Sequence, residues 1–198
     1  MKTLMALVLA VSTSASFAQK PAAEATTYKV DPATTKVTYV GKKVTGEHTG
    51  NVKVKSGTLT YDGQKLTGGD VVMDMTTIDS TDITDKDTNA KYVGHMKSAD
   101  FFNTEKYPES RLVIKESKKT DKGLEITGDL TMIGKTAPVK FLATDVKSTG
   151  DAFSAKANVE IDRTQWGLKY GSGQFFKGLG DKMIHDKFTL AVDLNAKK

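Results

Sequence analysis

Apolar residues recur at every second position along most of this chain. Val52 and Val54, then Leu59 and Tyr61, then Val71, Met73 and Met75 stand mostly between Lys, Asp or Thr. A period of two sends successive side chains to opposite faces of an extended strand, so these runs read as half-buried strands. The alternation returns over residues 124–132, 139–143, 153–161 and 188–194; with 37–40 and 111–115, pattern counting gives about eight or nine strands. Turn signals separate them: Asp62-Gly63, Gly68-Gly69, Asp121-Lys122-Gly123, Gly134-Lys135-Thr136 and Thr149-Gly150-Asp151. Their close spacing suits antiparallel hairpins. The stretch 81–98 loses the alternation and places Ile83, Ala90, Val93 and Met96 near helical spacing behind early acidic residues, which predicts a short helix around 82–98. Residues 166–181, rich in glycine and aromatics, read as a long loop with a helical turn.

Strands of about nine residues exceed the common length of about five to six, which favours a closed barrel over a small sandwich. The expected fold class is all-β, an extended eight-stranded antiparallel β-barrel. A membrane barrel would also alternate, but an aromatic content of 8%, the absence of aromatic girdles, charged outer positions and the Lys197-Lys198 end point the apolar face inward. On strand parity the inward residues are Val52 and Val54, Met73 and Met75, Ile126 and Leu130, Val139 and Phe141, Val159 and Ile161, and Leu190 and Val192, while the intervening Lys and Asp face water. A bulge would flip a whole set. An eight-stranded barrel of this kind either holds one elongated ligand or fills itself with side chains, and the pattern leaves both open.

The first residues set the compartment. Lys2, the eight apolar residues 4–11 and the small residues before Ala18 read as a signal peptide over 1–18, cleaved after Ala18. Residues 19–27 carry no periodic pattern and read as a flexible leader, and 28–198 as one domain. Eight apolar residues are too few to span a bilayer and no longer run follows, so a soluble, exported, periplasmic protein without an integral membrane span is expected. There is no cysteine, hence neither a disulfide nor a lipoprotein anchor, and stability must come from packing. Loss of Lys2 leaves 28 of the 29 basic residues against 24 acidic ones. The lysines are scattered and arginine occurs only at 111 and 163, so no clustered basic face for nucleic acid is present.

Catalytic and metal signatures are missing. His48, His95 and His185 have no metal-ligand spacing, no serine sits in a nucleophile elbow, and residues 128–136 put five residues between the glycines where a phosphate loop needs four. Asp85-Lys86-Asp87-Thr88-Asn89 has oxygen ligands at alternate positions like a calcium loop, but Ala90 and Met96 stand where glycine and glutamate belong, and helix capping competes with that reading. Phe101-Phe102 and Phe175-Phe176 are paired aromatics in irregular segments, suited either to plugging a barrel end or to lining a cavity entrance. His95 reads first as a packed or hydrogen-bonded histidine, and Arg163 as pairing with a carboxylate at a strand end.

Several motifs then combine in order along nearly the whole expected domain: Tyr28-Lys29-Val30-Asp31, the run 94–102 from Gly94 to Phe102, Tyr107-Pro108, residues 128–136, and Ile161-Asp162-Arg163-Thr164-Gln165-Trp166-Gly167. Together they resemble the YceI-like family. Tyr170-Gly171-Ser172-Gly173, Phe175-Phe176 and Gly180-Asp181-Lys182 resemble the version found in Bacteroidetes-like bacteria. The resemblance implies a lipocalin-like periplasmic barrel with a long apolar pocket for an isoprenoid chain or a similar amphiphile. The expected function is therefore a non-enzymatic lipid carrier with no cofactor beyond a bound isoprenoid quinone or other lipid. Its expected ligand-binding residues are the inward set above with Phe101, Phe102, Trp166, Tyr170, Phe175 and Phe176, and its head-group candidates are His95 and Arg163. Two rivals stand beside it, a packed barrel acting as an envelope stress or interaction protein, and an enzyme on a lipidic substrate. Exposed strand edges would allow a homodimer.

Overall fold

The computed structural model describes residues 24–198, so the expected signal peptide and most of the leader lie outside the described residues. In chain order the strands are β1 (Thr26–Val30), β2 (Lys36–Lys43), β3 (Gly46–Asn51), β4 (Lys53–Tyr61) and β5 (Leu66–Asp74), then helix α1 (Lys86–Lys97), then β6 (Glu109–Thr120), β7 (Gly123–Met132), β8 (Lys135–Ser148), β9 (Ala152–Asp162) and β10 (Ile184–Lys197). The leader boundary is corrected at its end, because Thr26 and Thr27 already pair with Tyr61 and Thr60.

Antiparallel pairing runs from β1 through β4 to β10 in order, and β10 returns to β1 at Val30↔Ala196 and Lys29↔Lys197, which closes the ring. β1 and β2 lie end to end along one edge of β10, with β2 paired from Lys43↔Ile184 to Lys36↔Asp193. β3 and β4 likewise form one interrupted strand, joined at Val52, whose amide donates to the Val37 carbonyl at 3.1 Å. The ten segments therefore make a closed eight-stranded antiparallel barrel with one helix. β3, Gly-Glu-His-Thr-Gly-Asn, has no apolar residue to alternate. Its strand conformation comes from hairpin pairing with β2 rather than from its own pattern.

The outer edge of β3 is covered by the segment that follows β5. The Asp79 and Thr81 amides donate to the Asn51 and Thr49 carbonyls at 3.1 and 2.9 Å. In return the Asn51 and Thr49 amides donate to the Asp79 and Asp82 carboxylates at 2.6 and 3.1 Å. The strand edge on which edge-to-edge dimerisation would rest is thus satisfied within the chain. Gly50 lies where this cover comes closest: a Cβ there would sit 2.1 Å from the Asp79 carbonyl oxygen and 2.7 Å from the Tyr39 hydroxyl, which donates to that same carbonyl at 2.6 Å. Gly50→Ala forces backbone apart and is expected to cost about 1–3 kcal/mol, lowering the thermal midpoint by several degrees in calorimetry. An unchanged midpoint would mean that the cover yields freely.

Helix α1 begins where Asp85 accepts the Thr88 amide at 2.9 Å, and ends at Ser98, as the loss of alternation predicts. The acidic run takes the capping role here. The Asp85 carboxylate is spent on the cap and the Asn89 amide on the Ser80 and Ile83 carbonyls at 3.0 and 2.9 Å. At the opposite end of the barrel Tyr28 and Tyr61 each pack at a tilt against Phe153, with ring centroids 5.7 and 5.3 Å from it, and the Tyr28 hydroxyl lies 2.9 Å from that of Ser148. That end is closed by packed aromatics.

Candidate functional site

The interior of the barrel is hollow, with a cavity of about 530 Å³ lined overwhelmingly by apolar side chains. This volume falls among those of small-molecule sites, about 300–1,000 Å³. Side-chain size explains the space. Ala143, Ala155 and Ala157 face inward where β8 meets β9, Ala143 directly opposite Ala157, and Gly41 adds no side chain on β2. Longer residues at these positions would meet across the barrel.

All the residues assigned inward by parity line this cavity. Val52 and Val54 do so where β3 passes into β4, and Met73 and Met75 at the end of β5. Ile126 and Leu130 line it from β7, Val139 and Phe141 from β8, Val159 and Ile161 from β9, and Leu190 and Val192 from β10. Bulges do flip the parity, in β4 between Val54 and Ser56, in β6 between Ile114 and Glu116, and in β8 between Thr144 and Lys147. Val54 precedes the first of them and Leu59 follows it, so both point inward with opposite parity. Lining residues that the sequence reading missed include Tyr39, Leu66, Leu112, Met96 and Phe153. Continuing the period of two would have found Tyr39, Leu112 and Phe153; the helical spacing marks Met96 as apolar on α1, but only the tertiary packing brings it to the cavity.

The open end is built by α1, the β2–β3 hairpin and the segment 163–183, and is lined by Lys42, Lys43, His48, Tyr92, His95, Tyr170, Asp181, Lys182 and His185. Phe101 and Phe102 line the cavity beneath them. His95 joins an aromatic group, edge-on to Phe101 and Tyr170 at 5.0 and 4.7 Å, with its Nε2 3.1 Å from the Asp100 carboxylate. His48 Nδ1 lies 2.8 Å from Asp82, and its ring is 4.5 Å from that of Tyr92. Burial works against ionisation of Asp82, but the His48 ring, the Thr49 amide and the Ser80 hydroxyl outweigh it and hold its pKa below the usual carboxylate value. Burial, with the Tyr92 hydroxyl nearby, pushes the Tyr39 phenol well above its ordinary value, so it stays a neutral donor. Among the described residues no group of three or more His, Cys, Asp or Glu could hold a metal ion.

Three expected lining residues are corrected, and Arg163 follows its first reading, as a partner of a carboxylate. Trp166 does not line the cavity; it is 1% exposed, packs against Met132, Val159 and Ile161, which do line it, and its indole donates to the Leu130 carbonyl at 2.8 Å. Phe175 and Phe176 neither plug the barrel nor line the cavity, because the loop turns both outward to 43% and 48% exposure. Arg163 borders the cavity, yet its guanidinium donates to the His185, Leu168 and Ile184 carbonyls at 3.1, 2.8 and 3.2 Å and meets Asp186 at 3.4 Å. Burial lowers its pKa, against the pull of Asp186 and Asp162. Arg163 is thus a fastener of the loop to β10, with few donors left for a head group.

The fold is a closed lipocalin-like barrel with packed aromatics at one end and an apolar cavity that opens at the other. The chain belongs to the YceI-like family, whose domain matches residues 28–196. It is 39% identical over 108 residues to Protein YceI of Escherichia coli, covering 54% of this chain and 53% of that protein. It is also 38% identical over 91 residues to the UPF0312 protein plu2095 of Photorhabdus laumondii, 46% of this chain and 44% of that one. These matched regions span about half the length of the relatives. Among solved structures, BcnA of Burkholderia cenocepacia superposes with a TM-score of 0.64 at 23% identity over 85% of this chain and 99% of its own. A polyisoprenoid binding domain from Saccharophagus degradans, implicated in plant cell wall breakdown, gives 0.58 at 12% identity over 86% and 97%. These two likenesses show the shared barrel.

Proposed function

We propose that this protein binds and carries a long-chain isoprenoid or similar amphiphilic lipid, without catalysis, across the aqueous periplasm. The observation that carries the reading is the apolar cavity of about 530 Å³ with one open end. The residues that line it would contact the chain, with Met73, Ile126 and Phe141 among them, and His95 and Tyr170 would stand beside the polar end at the mouth. Affinity would come from burial: at about 25 cal/mol per Å² of apolar area, a chain losing a few hundred Å² to the wall gains several kcal/mol before ordering costs. The Saccharophagus domain, described as polyisoprenoid binding, has the same barrel, and membership of the family agrees with a binding role. Export rests on the segment 1–18; no helix among the described residues is long and apolar enough to cross a membrane.

The test is native mass spectrometry of protein purified without detergent, followed by organic extraction. A stoichiometric adduct that extracts as an isoprenoid or other long-chain lipid is the expected result. A bare mass that also takes up no added isoprenoid quinone or fatty amide would refute the carrier reading.

A further inference from the structure

Exposed large apolar side chains are confined to one end of the barrel. Among the described residues they are Val44, Tyr170, Phe175 and Phe176, each between 43% and 50% exposed. Val44 tips the β2–β3 hairpin, and its amide donates to the Met183 carbonyl at 3.1 Å, which joins the hairpin to the segment that carries the aromatics. Tyr170 lines the cavity mouth itself. The turns at the far end, around 62–65, 121–122 and 149–151, contribute none.

This is not a loose loop that happens to be greasy. Ser172 is fully buried; its carbonyl accepts the Phe175 and Phe176 amides at 3.2 and 3.0 Å, and its hydroxyl accepts the Gln174 amide at 3.2 Å. Gly171, at φ +64°, accepts the Ile184 amide at 2.8 Å in a backbone conformation that glycine adopts readily. The Arg163 guanidinium ties the loop's start to β10. The fold holds two phenylalanines toward solvent from an anchored turn, and a solvent-facing pair so placed has no packing role within the barrel.

Charge says what would cover them. The hairpin 42–47 and the segment 167–184 carry Lys42, Lys43, Lys169, Lys177 and Lys182 against Glu47 and Asp181, a net of three positive charges. Lys169 Nζ lies 4.6 Å from the Phe175 ring centre. Half-exposed aromatics flanked by lysines match the two layers of a membrane interface, rings at the acyl boundary and ammonium groups among anionic head groups.

We propose that the mouth end, through Phe175, Phe176, Val44 and the flanking lysines, docks on the surface of a bilayer containing anionic phospholipid. The cavity then opens onto the membrane, and an apolar molecule passes between the two without crossing water. Docking goes beyond the carrier reading and needs no cargo; the passage of cargo rests on that reading.

The experiment is co-sedimentation of the full-length mature chain with vesicles of phosphatidylcholine alone and with about one third phosphatidylglycerol, at low and high salt. Binding to the anionic vesicles that weakens with salt is expected. Phe175→Ser with Phe176→Ser, and separately Lys169→Glu with Lys177→Glu, should each lower the partition coefficient about tenfold or more, with unchanged thermal unfolding. Equal binding by wild type and both double variants, or no binding to either vesicle, overturns the proposal. So does a dimer in sedimentation equilibrium that Phe175→Ser with Phe176→Ser dissociates, because the patch would then be an interface between copies. Ala157→Phe, placed in the cavity away from the patch, separates the two readings: it should keep vesicle binding while losing lipid uptake. A wild type that binds vesicles but takes up no lipid would sink the carrier reading and leave the docking intact.

Discussion

Replacing Ala157 with phenylalanine is expected to lower the affinity for an isoprenoid chain about seventyfold while leaving the barrel folded. Ala157 faces the cavity from β9 beside Ala143 and Val192. A ring there occupies space now open and removes about 100 Å² of ligand burial, worth about 2.5 kcal/mol at 25 cal/mol per Å². Because the ring fills a void instead of displacing packed atoms, the thermal midpoint should hold or rise. The measurement is titration with a soluble short-chain isoprenoid quinone, followed by fluorescence, in parallel with calorimetry. Undiminished uptake by a well-folded A157F protein would mean that the ligand does not lie in this cavity. Ala155→Phe, two residues along the same wall, should act in the same direction, and the two sites are close enough to be non-additive.

Trp166→Ala is expected to be the most destabilising single change in the described chain. The indole packs against the inward-facing Met132, Val159 and Ile161, and its N–H donates to the Leu130 carbonyl at 2.8 Å. Truncation leaves a void and removes this hydrogen bond, for a loss of about 3–5 kcal/mol. At about 2–4 °C per kcal/mol for a chain of this size, the midpoint should fall by roughly 6–20 °C. Trp166→Phe keeps most of the apolar area and loses the hydrogen bond, so its loss should be the smaller. Since Trp166 lies outside the lining, the protein still folded at low temperature should bind lipid with nearly wild-type affinity. A selective loss of affinity without loss of stability would return Trp166 to the binding site.

Much of the site was legible because inward placement in a strand is a local matter. The alternation across Ile126 and Leu130, or across Val159 and Ile161, puts both members of each pair on one face whatever the neighbouring strand does. The same logic ran out at bulges. No feature of Val54-Lys55-Ser56-Gly57 announces the extra residue that turns Leu59 inward; it exists because β4 must leave one partner geometry and enter another. It also ran out in the segment 163–183, where no period relates one residue to the next. Trp166, Tyr170, Phe175 and Phe176 are chemically similar there, yet one is buried among core side chains, one stands at the mouth and two face solvent. Their fates follow from the hydrogen bonds of Arg163 and the buried Ser172, both made to distant backbone or to a turn that those bonds themselves define.

The closed antiparallel barrel, its inward apolar face and the helix between β5 and β6 were all decided by short-range pattern, since a period of two, turn residues and a capping aspartate act within a few neighbouring residues. The hollowness of that barrel was not. Whether inward side chains meet or leave a gap depends on the summed volumes of residues from eight strands facing one another across the interior, and Ala143, Ala155, Ala157 and Gly41 become a cavity wall only when closure brings them around one space.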